Sequence, residues 1–533
     1  MGVQRRARVI DSAGKSPRQM LGVSSAVNGQ DLTSTPSSSR SRHGRVVRQT
    51  ADHHDGNQDR LQGVLITPGS SMHTKFLRSI SLLSALLVTS AALAQSVGDR
   101  VYTADQSSNT VSVIDPVTFK LLGVISLGAQ VPAALSPLYR GELLVHGLGF
   151  SPDGKTLAAV SIGSNSVTLI DTATNTVRGK VYLGRSPHEA FFTPDGLELW
   201  AAVRGEDYVS VIDPAAMKEK RRVTIANGPG MVLFNPNGRY AYVPSSLTPE
   251  LSVIDTRSYR VIAHVKQASP FSPNLAVSQD GQQVWFTLKD SGKTQVMNAL
   301  PPFNVTATLD TGPVTNHVVL ADTTGGKFAY ITVGGLNVVK VYTRDATPKL
   351  VASIPTGALP HGAWAAPDGK KIYVGLEGAD QVQVIDTASN TVVRSVPTGQ
   401  LPQALVYVPG AVKTGTGTAN LIPLDAAKAT VTLNLAAPSG PARATVSVNP
   451  LGLVDLVQIV ATGLTPSTDY VLKLTGMDGQ SQDIAGFKTS PLGIASAQTI
   501  GPVKKLLTSG DAGRQTLSVV PKAGGAAVLV QTP

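Results

Sequence analysis

The sequence predicts an all-β protein whose main body is a seven-bladed β-propeller followed by a small β-sandwich domain. One unit recurs about every 42 residues, which is the period of a four-stranded propeller blade. The 533-residue chain is rich in turn formers, with 51 Gly and 35 Pro, whereas charged residues make up only 15%. Within each unit, apolar and polar residues alternate as they do in half-buried strands.

The repeat has four copies of 26 residues without a gap, which are 146–171, 188–213, 230–255 and 361–386, and two looser copies, 274–298 and 317–343. In the clearest copies a turn such as Ser-Pro-Asp-Gly joins the first two strands, because Pro presets φ and Gly closes the hairpin. The gapless copies end in an aspartate that is expected to accept turn N–H groups. These structural aspartates are Asp171, Asp213, Asp255 and Asp386.

A seventh blade is split between the two ends of the repeat region. Residues 100–127 supply three strands, and residues 402–408 (PQALVYV) supply the missing innermost strand. Joining the two ends in one blade closes the ring and removes free sheet edges, which would otherwise invite aggregation. We therefore expect seven blades within residues 95–411, with N- and C-terminal strands closing one blade.

The Pro-Asp-Gly turns and Val-Ile-Asp endings resemble those of the YVTN-repeat (YncE-like) seven-bladed propellers over roughly residues 96–410. The resemblance implies the fold. It is a poor guide to activity, because propellers carry binding, scaffold and catalytic roles on one frame.

The composition changes after residue 411. Residues 412–422 form a Gly/Thr-rich linker, and residues 423–533 alternate like strands separated by turns. Within them GLTPSTDYVLKL resembles the corner of fibronectin type III modules, in which a tyrosine, here Tyr470, ties a loop to the sheet. This pattern predicts a fibronectin-like β-sandwich.

The first 94 residues are predicted to be a leader followed by an export signal. Residues 72–94 place Lys75 and Arg78 before a short apolar run that ends in Ala-Leu-Ala, as Sec signal peptides do. Residues 1–71 are interpreted as a non-native leader upstream of a start at Met72, with a disordered basic arm as the alternative. We expect a periplasmic or secreted protein without a membrane span.

The formal charge of +11 raises nucleic-acid binding as a hypothesis. Residues 1–94 hold 12 Lys and Arg against 5 Asp and Glu, which leaves 34 against 30 for residues 95–533. A net charge of +4 over the remainder makes a phosphate-binding surface a weak expectation. The absence of Cys excludes disulfides, thiolate metal ligands and a covalently attached c-type haem.

Four histidines share one repeat position, at the start of the innermost strand: His146, His188, His317 and His361. The other blades carry Gly230, Asn274 and Gln403 there, so we expect imidazoles around one mouth of the channel. Neutral imidazole is a common ligand of copper, iron and zinc, and the arrangement is similar to the propellers of nitrous oxide reductase and cytochrome cd1. The structural alternative is that each histidine bonds to the backbone of the next blade.

The loops between second and third strands should open on the same face. They would bring Arg204, Glu206, Lys289 and Glu377 to the mouth, near Gln403, as a site for a small polar ligand or a protein partner. An extra segment, residues 128–145, is expected to form a lid. Some seven-bladed propellers are lactonases, but no acid–base constellation distinguishes that activity here. The sequence therefore favours a binding or scaffold role over an enzyme.

Overall fold

The computed structural model describes residues 98–130, 133–425, 429–452, 454–508 and 515–532. The predicted leader and signal peptide lie outside these residues. The described ranges form seven four-stranded sheets, one eight-stranded sheet and one short helix, α1 (Val503–Thr508), with 3₁₀ turns at Ala133–Leu135 and Gly334–Leu336. The predicted all-β class is confirmed. Over the same ranges, no helix is long and apolar enough to cross a membrane.

The first four blades follow one another along the chain, apart from the strand that closes the ring. Blade 1 contains β1 (Arg100–Asp105), β2 (Thr110–Asp115) and β3 (Lys120–Ser126). Blade 2 contains β4 (Val145–Phe150), β5 (Thr156–Ser161), β6 (Ser166–Asp171) and β7 (Thr176–Tyr182). Blade 3 contains β8 (Pro187–Phe192), β9 (Leu199–Val203), β10 (Tyr208–Asp213) and β11 (Lys218–Thr224). Blade 4 contains β12 (Leu233–Phe234), β13 (Tyr240–Pro244), β14 (Glu250–Asp255) and β15 (Arg260–Lys266).

The remaining blades continue the pattern and end with the closing strand. Blade 5 contains β16 (Leu275–Val277), β17 (Gln283–Leu288), β18 (Lys293–Asn298) and β19 (Val305–Asp310). Blade 6 contains β20 (Thr315–Thr323), β21 (Gly326–Val333), β22 (Val338–Thr343) and β23 (Leu350–Pro355). Blade 7 contains β24 (Pro360–Ala365), β25 (Lys371–Leu376), β26 (Gln381–Asp386) and β27 (Thr391–Pro397). Then β28 (Pro402–Val408) pairs antiparallel with β1, with Val101 opposite Tyr407, so the predicted closure is confirmed.

Burial within a blade follows the distance from the channel. In blade 3 every residue of β9 is buried, whereas the outermost strand β11 is mostly exposed. The turn aspartates act as predicted, since the Asp386 carboxylate accepts the backbone N–H of Ser389 at 2.9 Å and the other three accept equivalent bonds. Local turn chemistry and packing between blades therefore agree with the repeat.

The C-terminal strands form one curled sheet. They are β29 (Val431–Ala436), β30 (Arg443–Pro450), β31 (Asp455–Thr462), β32 (Asp469–Thr475), β33 (Ser481–Lys488), β34 (Ala495–Gly501), β35 (Thr516–Pro521) and β36 (Leu529–Gln531). Their order is β33-β32-β35-β36-β29-β30-β31-β34, and the two edge strands contact each other. The predicted β domain is therefore a single sheet curled nearly into a barrel, which protects its edges. The Tyr470 hydroxyl accepts the backbone N–H of Thr465 at 3.2 Å, as a tyrosine corner does.

This C-terminal sheet packs on the loop-bearing face of blades 6 and 7. Val460 of β31 packs against Val314 and Leu359 of the propeller. The backbone N–H of Thr430 donates to the Asp380 carboxylate at 2.9 Å. The sheet therefore lies on the same face as the predicted site.

The extra segment between blades 1 and 2 contacts the outer half of blade 2. The buried Glu142 carboxylate accepts the Ser164 hydroxyl at 2.6 Å and pairs with Lys180 at 2.6 Å. The Tyr139 hydroxyl donates to the Glu142 carbonyl at 2.9 Å, and Arg140 is exposed. The segment also reaches the C-terminal domain, where the Gln130 side-chain amide donates to the Pro450 carbonyl at 3.0 Å. Its role as a lid stays a prediction.

Candidate functional site

The four in-phase histidines lie together at one end of the channel. Ring centroids are 4.4 Å apart for His146 and His188, 5.0 Å for His317 and His361, and 6.3 Å for His146 and His361. Each is 3–6% exposed. The repeat position therefore forms a continuous arc of imidazoles.

Two of these histidines bond to the backbone of the next blade. His188 donates its Nδ1 proton to the Gly230 carbonyl at 2.5 Å, and His361 donates to the Gln403 carbonyl at 2.9 Å. Because a carbonyl oxygen only accepts, the proton sits on Nδ1 and the Nε2 lone pair remains free. The sequence analysis gave a bond to the backbone of the next blade as the structural alternative, and it is confirmed for His188 and His361. This bond leaves the second ring nitrogen of each histidine available to a ligand.

The other two histidines have different surroundings. The Asn274 Oδ1 atom accepts the backbone N–H of Val318 at 2.9 Å, so its amide nitrogen faces His317 Nδ1 at 3.2 Å and donates to it. His317 consequently carries its proton on Nε2. The buried Nδ1 of His146 has no hydrogen-bond partner among the described residues. The arc therefore presents both donors and acceptors.

The imidazoles are held neutral. Burial lowers the pKa of His146 and of His317 to about 3, and it lowers the pKa of His188 and of His361 well below the usual value. The positive charges of Arg204 and Lys289 add to this effect. Near pH 7 these imidazoles are therefore uncharged, and a free ring nitrogen can accept a hydrogen bond.

A second ring of residues surrounds the arc, at the first position of the loops between second and third strands. The backbone N–H of Arg204 donates to the Ser186 carbonyl at 3.2 Å, and that of Glu377 donates to the Leu359 carbonyl at 2.9 Å. Ser186 and Leu359 have left-handed φ values of 49° and 54°, which turn the chain sharply into the inner strand. Lys289 is held in the same way by the Phe271 carbonyl at 2.8 Å. The loops are thereby fixed beside the histidines.

The charges of this second ring are unbalanced. Among the described residues, neither the Arg204 guanidinium nor the Lys289 ammonium forms an ion pair or a side-chain hydrogen bond, and Arg204 lies over the Phe271 ring at 5.0 Å. Burial lowers the pKa of Arg204 to about 10 and also lowers the pKa of Lys289. Two cations outside any ion pair, beside neutral imidazoles, make the mouth attractive to anions, and the Glu377 carboxylate offsets only part of this positive charge.

Glu377 is the carboxylate of this mouth. Its Oε2 atom lies 4.0 Å from Nε2 of His361, and its Oε1 atom accepts the side-chain amide of Gln458 at 2.8 Å. Both Oε2 and the free Nε2 are acceptors. A hydroxyl placed between them would satisfy one of these atoms, and a water would satisfy both.

The side chains of two further predicted residues form no hydrogen bond or ion pair with this group in the described structure. Glu206 pairs with Arg185 at 3.0 Å on the exposed rim, so its charge is already balanced. Gln403 is buried and supplies its backbone carbonyl to His361. The predicted residues that meet at the mouth are the four histidines, Arg204, Lys289 and Glu377.

Three further residues were missed by the sequence analysis. Glu189 is a buried acid beside His188 whose Oε2 atom accepts the backbone N–H of Leu148 at 3.3 Å, and burial raises its pKa well above the usual value. Trp364 stacks on Phe191 at 6.3 Å and lines, with Glu189, a largely apolar cavity of about 280 Å³. The sequence did contain a signal for the first two, because Glu189 and Trp364 are a charged and a large aromatic residue within inner strands. Gln458 comes from the C-terminal sheet, and nothing in the sequence pairs it with the mouth.

Metal binding by the histidines stays a prediction. In the ranges that the structure describes, no group of three or more His, Cys, Asp or Glu side chains is arranged to hold a metal ion.

Comparison with known proteins identifies the fold. A family model described as "Lactonase, 7-bladed beta-propeller" matches residues 182–402. The chain contains a seven-bladed β-propeller. A functionally unknown protein from Desulfotomaculum acetoxidans DSM 771 is 13% identical to the chain, with a TM-score of 0.51, over 58% of this chain and 99% of that one.

Two other solved structures are similar at lower TM-scores. The Pseudomonas aeruginosa periplasmic gluconolactonase PpgL is 19% identical, over 58% of this chain and 99% of that one, with a TM-score of 0.47. Kuenenia stuttgartiensis hydrazine synthase is 23% identical, over 49% of this chain and 88% of that one, with a TM-score of 0.45. The search of curated proteins finds no match.

Proposed function

We propose that the propeller binds a small hydroxylated anion at its histidine-lined mouth. The observation that carries the proposal is the pair of cations, Arg204 and Lys289, neither of which forms an ion pair or a side-chain hydrogen bond in the described structure. Guanidinium and ammonium groups recognise carboxylate and phosphate through charge-assisted hydrogen bonds. Both cations are partly buried, so weaker competition from water strengthens that attraction.

The expected hydroxyl groups follow from the acceptors. His361 Nε2 and Glu377 Oε2 face each other at 4.0 Å, and a ligand hydroxyl between them donates to one while it lies near the other. An alkyl carboxylate would leave both acceptors without a donor, which costs about 1–3 kcal/mol for each buried polar group. The site should therefore prefer hydroxylated anions to alkyl ones.

Hydrolysis of a lactone is a second candidate, favoured by the family match over residues 182–402. A water between His361 and Glu377 would attack the lactone carbonyl carbon while the Glu377 carboxylate takes a proton and His361 Nε2 accepts a hydrogen bond from the water. Arg204 and Lys289 would stabilise the oxyanion. The ring C–O bond then breaks, and the leaving alkoxide takes the proton back, which yields a hydroxycarboxylic acid that ionises and releases a proton at neutral pH.

The wider setting of this function is proposed on sequence grounds. The motifs quoted above support assignment to the YVTN-repeat kind, and residues 72–94 support export to the periplasm or beyond. We propose that the propeller domain ends at residue 411, that residues 412–422 form a linker, and that the C-terminal β domain begins at residue 423. A protein partner at the same mouth and a histidine-bound copper, iron or zinc ion are the remaining hypotheses.

Calorimetric titration of the purified full chain with D-gluconate, hexanoate and sorbitol tests the proposal. Gluconate and hexanoate are both six-carbon monocarboxylates, and sorbitol is the corresponding uncharged polyol. We expect gluconate to bind at least about tenfold more tightly than either, a difference of about 1.4 kcal/mol. Equal affinities, or no gluconate binding, would overturn the proposal. Catalysis is tested with glucono-δ-lactone by acid release above the uncatalysed rate, which His361→Asn should abolish.

A further inference from the structure

We infer that the C-terminal sheet completes the propeller's site through Gln458, a positioning residue that holds Glu377 towards His361 and offers its own carbonyl oxygen to the ligand. The inference rests on the proposed function for its ligand. It assigns specificity to a domain outside the propeller.

The alternation of β31 directs Gln458 at the propeller. Val457, Ile459 and Ala461 lie in the core of the C-terminal sheet, so Gln458 and Val460 face the other side. Val460 packs against Leu359, whose carbonyl holds the backbone N–H of Glu377. One apolar contact therefore fixes the register between β31 and the loop that carries Glu377.

The bond from Gln458 fixes the orientation of the carboxylate. The Gln458 Nε2 atom donates to Glu377 Oε1 at 2.8 Å, which leaves Oε2 at 4.0 Å from His361 Nε2. Without this donor, the Glu377 side chain could adopt other rotamers at the mouth. The amide thus prepares the pair of acceptors before a ligand arrives.

Unsatisfied polar atoms mark where the ligand would complete the contact. The Oε1 atom of Gln458 is buried without a partner in the described structure, and the residue is only 5% exposed. Ser447 lies directly opposite on β30, and its buried hydroxyl also lacks a partner there. Such atoms are rare because each carries a desolvation cost. A carbonyl acceptor and a hydroxyl side by side suit a hydroxylated ligand.

The test compares Gln458→Leu and Gln458→Met with Gln498→Leu in the full chain. Leu and Met approximate the size of Gln without its hydrogen bonds, and Met also keeps its length. Gln498 is the cross-strand neighbour of Gln458 on β34, but its side chain is exposed. Thermal unfolding checks that each variant is folded.

We expect both Gln458 variants to bind gluconate at least about tenfold more weakly, while hexanoate affinity and the Gln498 variant remain unchanged. Wild-type gluconate binding with no loss in the Gln458 variants would overturn the inference and leave the proposed function standing. Absence of gluconate binding by the wild type would overturn the proposed function.

A crystal structure of Gln458→Met without ligand tests positioning independently. We expect Glu377 to turn away from His361. A Glu377 side chain that keeps its wild-type position would overturn the positioning role whatever the ligand proves to be.

Discussion

The Nδ1 atom of His361 lies 2.9 Å from the carbonyl oxygen of Gln403, 42 residues further along the chain. His188 and Gly230 repeat the relationship at the same separation. One bond therefore ties neighbouring inner strands together and sets the tautomer that frees Nε2 for the mouth. Structural and functional roles of these histidines are two consequences of a single contact.

Gly362→Ala should weaken this contact. A Cβ atom there would lie 2.3 Å from the Gln403 carbonyl oxygen, so the inner strands of blades 7 and 1 must separate. We expect urea unfolding to show a loss of about 1–3 kcal/mol, as other overpacked sites do. Gly375→Ala is the control, since its nearest neighbour would be 3.4 Å away. Equal losses in the two variants would contradict this explanation.

We expect the free energy of unfolding to decrease as the pH is lowered between the unfolded and folded pKa values of His146. Burial lowers its folded pKa to about 3 from 6.5, so between these values the unfolded chain binds a proton that the folded chain does not. The free energy of unfolding therefore decreases as pH falls, by at most about 1.4 kcal/mol per pH unit for this residue.

His146→Gln isolates that contribution. The buried Asp105, whose pKa is raised to about 7, acts with the opposite sign, because its stabilisation is lost as pH rises towards 7. Asp105 is present in both the wild type and the His146→Gln variant, so its contribution to the pH dependence cancels when the two proteins are compared. Urea unfolding from pH 7 to pH 4 should show a shallower fall for the variant, and parallel curves would refute the assignment.

Removal of either cation should weaken anion binding. We expect Arg204→Gln and Lys289→Gln each to reduce gluconate affinity at least about tenfold, because each removes a positive charge that forms no ion pair in the described structure. Arg185→Gln serves as the control, since Arg185 pairs with Glu206 on the exposed rim. Titration at low and high salt should also show weaker binding at high salt. A loss in all three variants alike would indicate a non-specific charge effect.

The metal hypothesis has a direct elemental test. Because no described group of three or more ligand side chains has the required arrangement, we expect well below one equivalent of copper, iron or zinc after reloading and dialysis. One tightly held equivalent that disappears in the His146→Ala/His361→Ala double variant would instead establish a metal centre.

Features that repeat with the blade period were predictable from the sequence. The Pro-Asp-Gly turns, the closing strand at residues 402–408 and the common position of the four histidines each depend on local pattern plus a fixed period. A residue in phase with its counterparts must occupy the same place in the ring. Arg204, Lys289 and Glu377 were found for the same reason.

Individual partners were not predictable in this way. Glu206 was predicted as a ligand contact, and the repeat gave no sign that its carboxylate would pair with Arg185 on a neighbouring loop. The C-terminal strands read as a sandwich, but their edges meet in one curled sheet, since hydrogen-bond order is not encoded by alternation.

By itself, the sequence determined the seven blades, their closure and the ring position of the histidines, because these follow from short-range periodicity in strands and turns. Only the tertiary structure decided that Glu377 lies between His361 and Gln458. That contact joins residues 81 positions apart. It depends on how two independently patterned surfaces pack, which neither local propensity nor repeat spacing specifies.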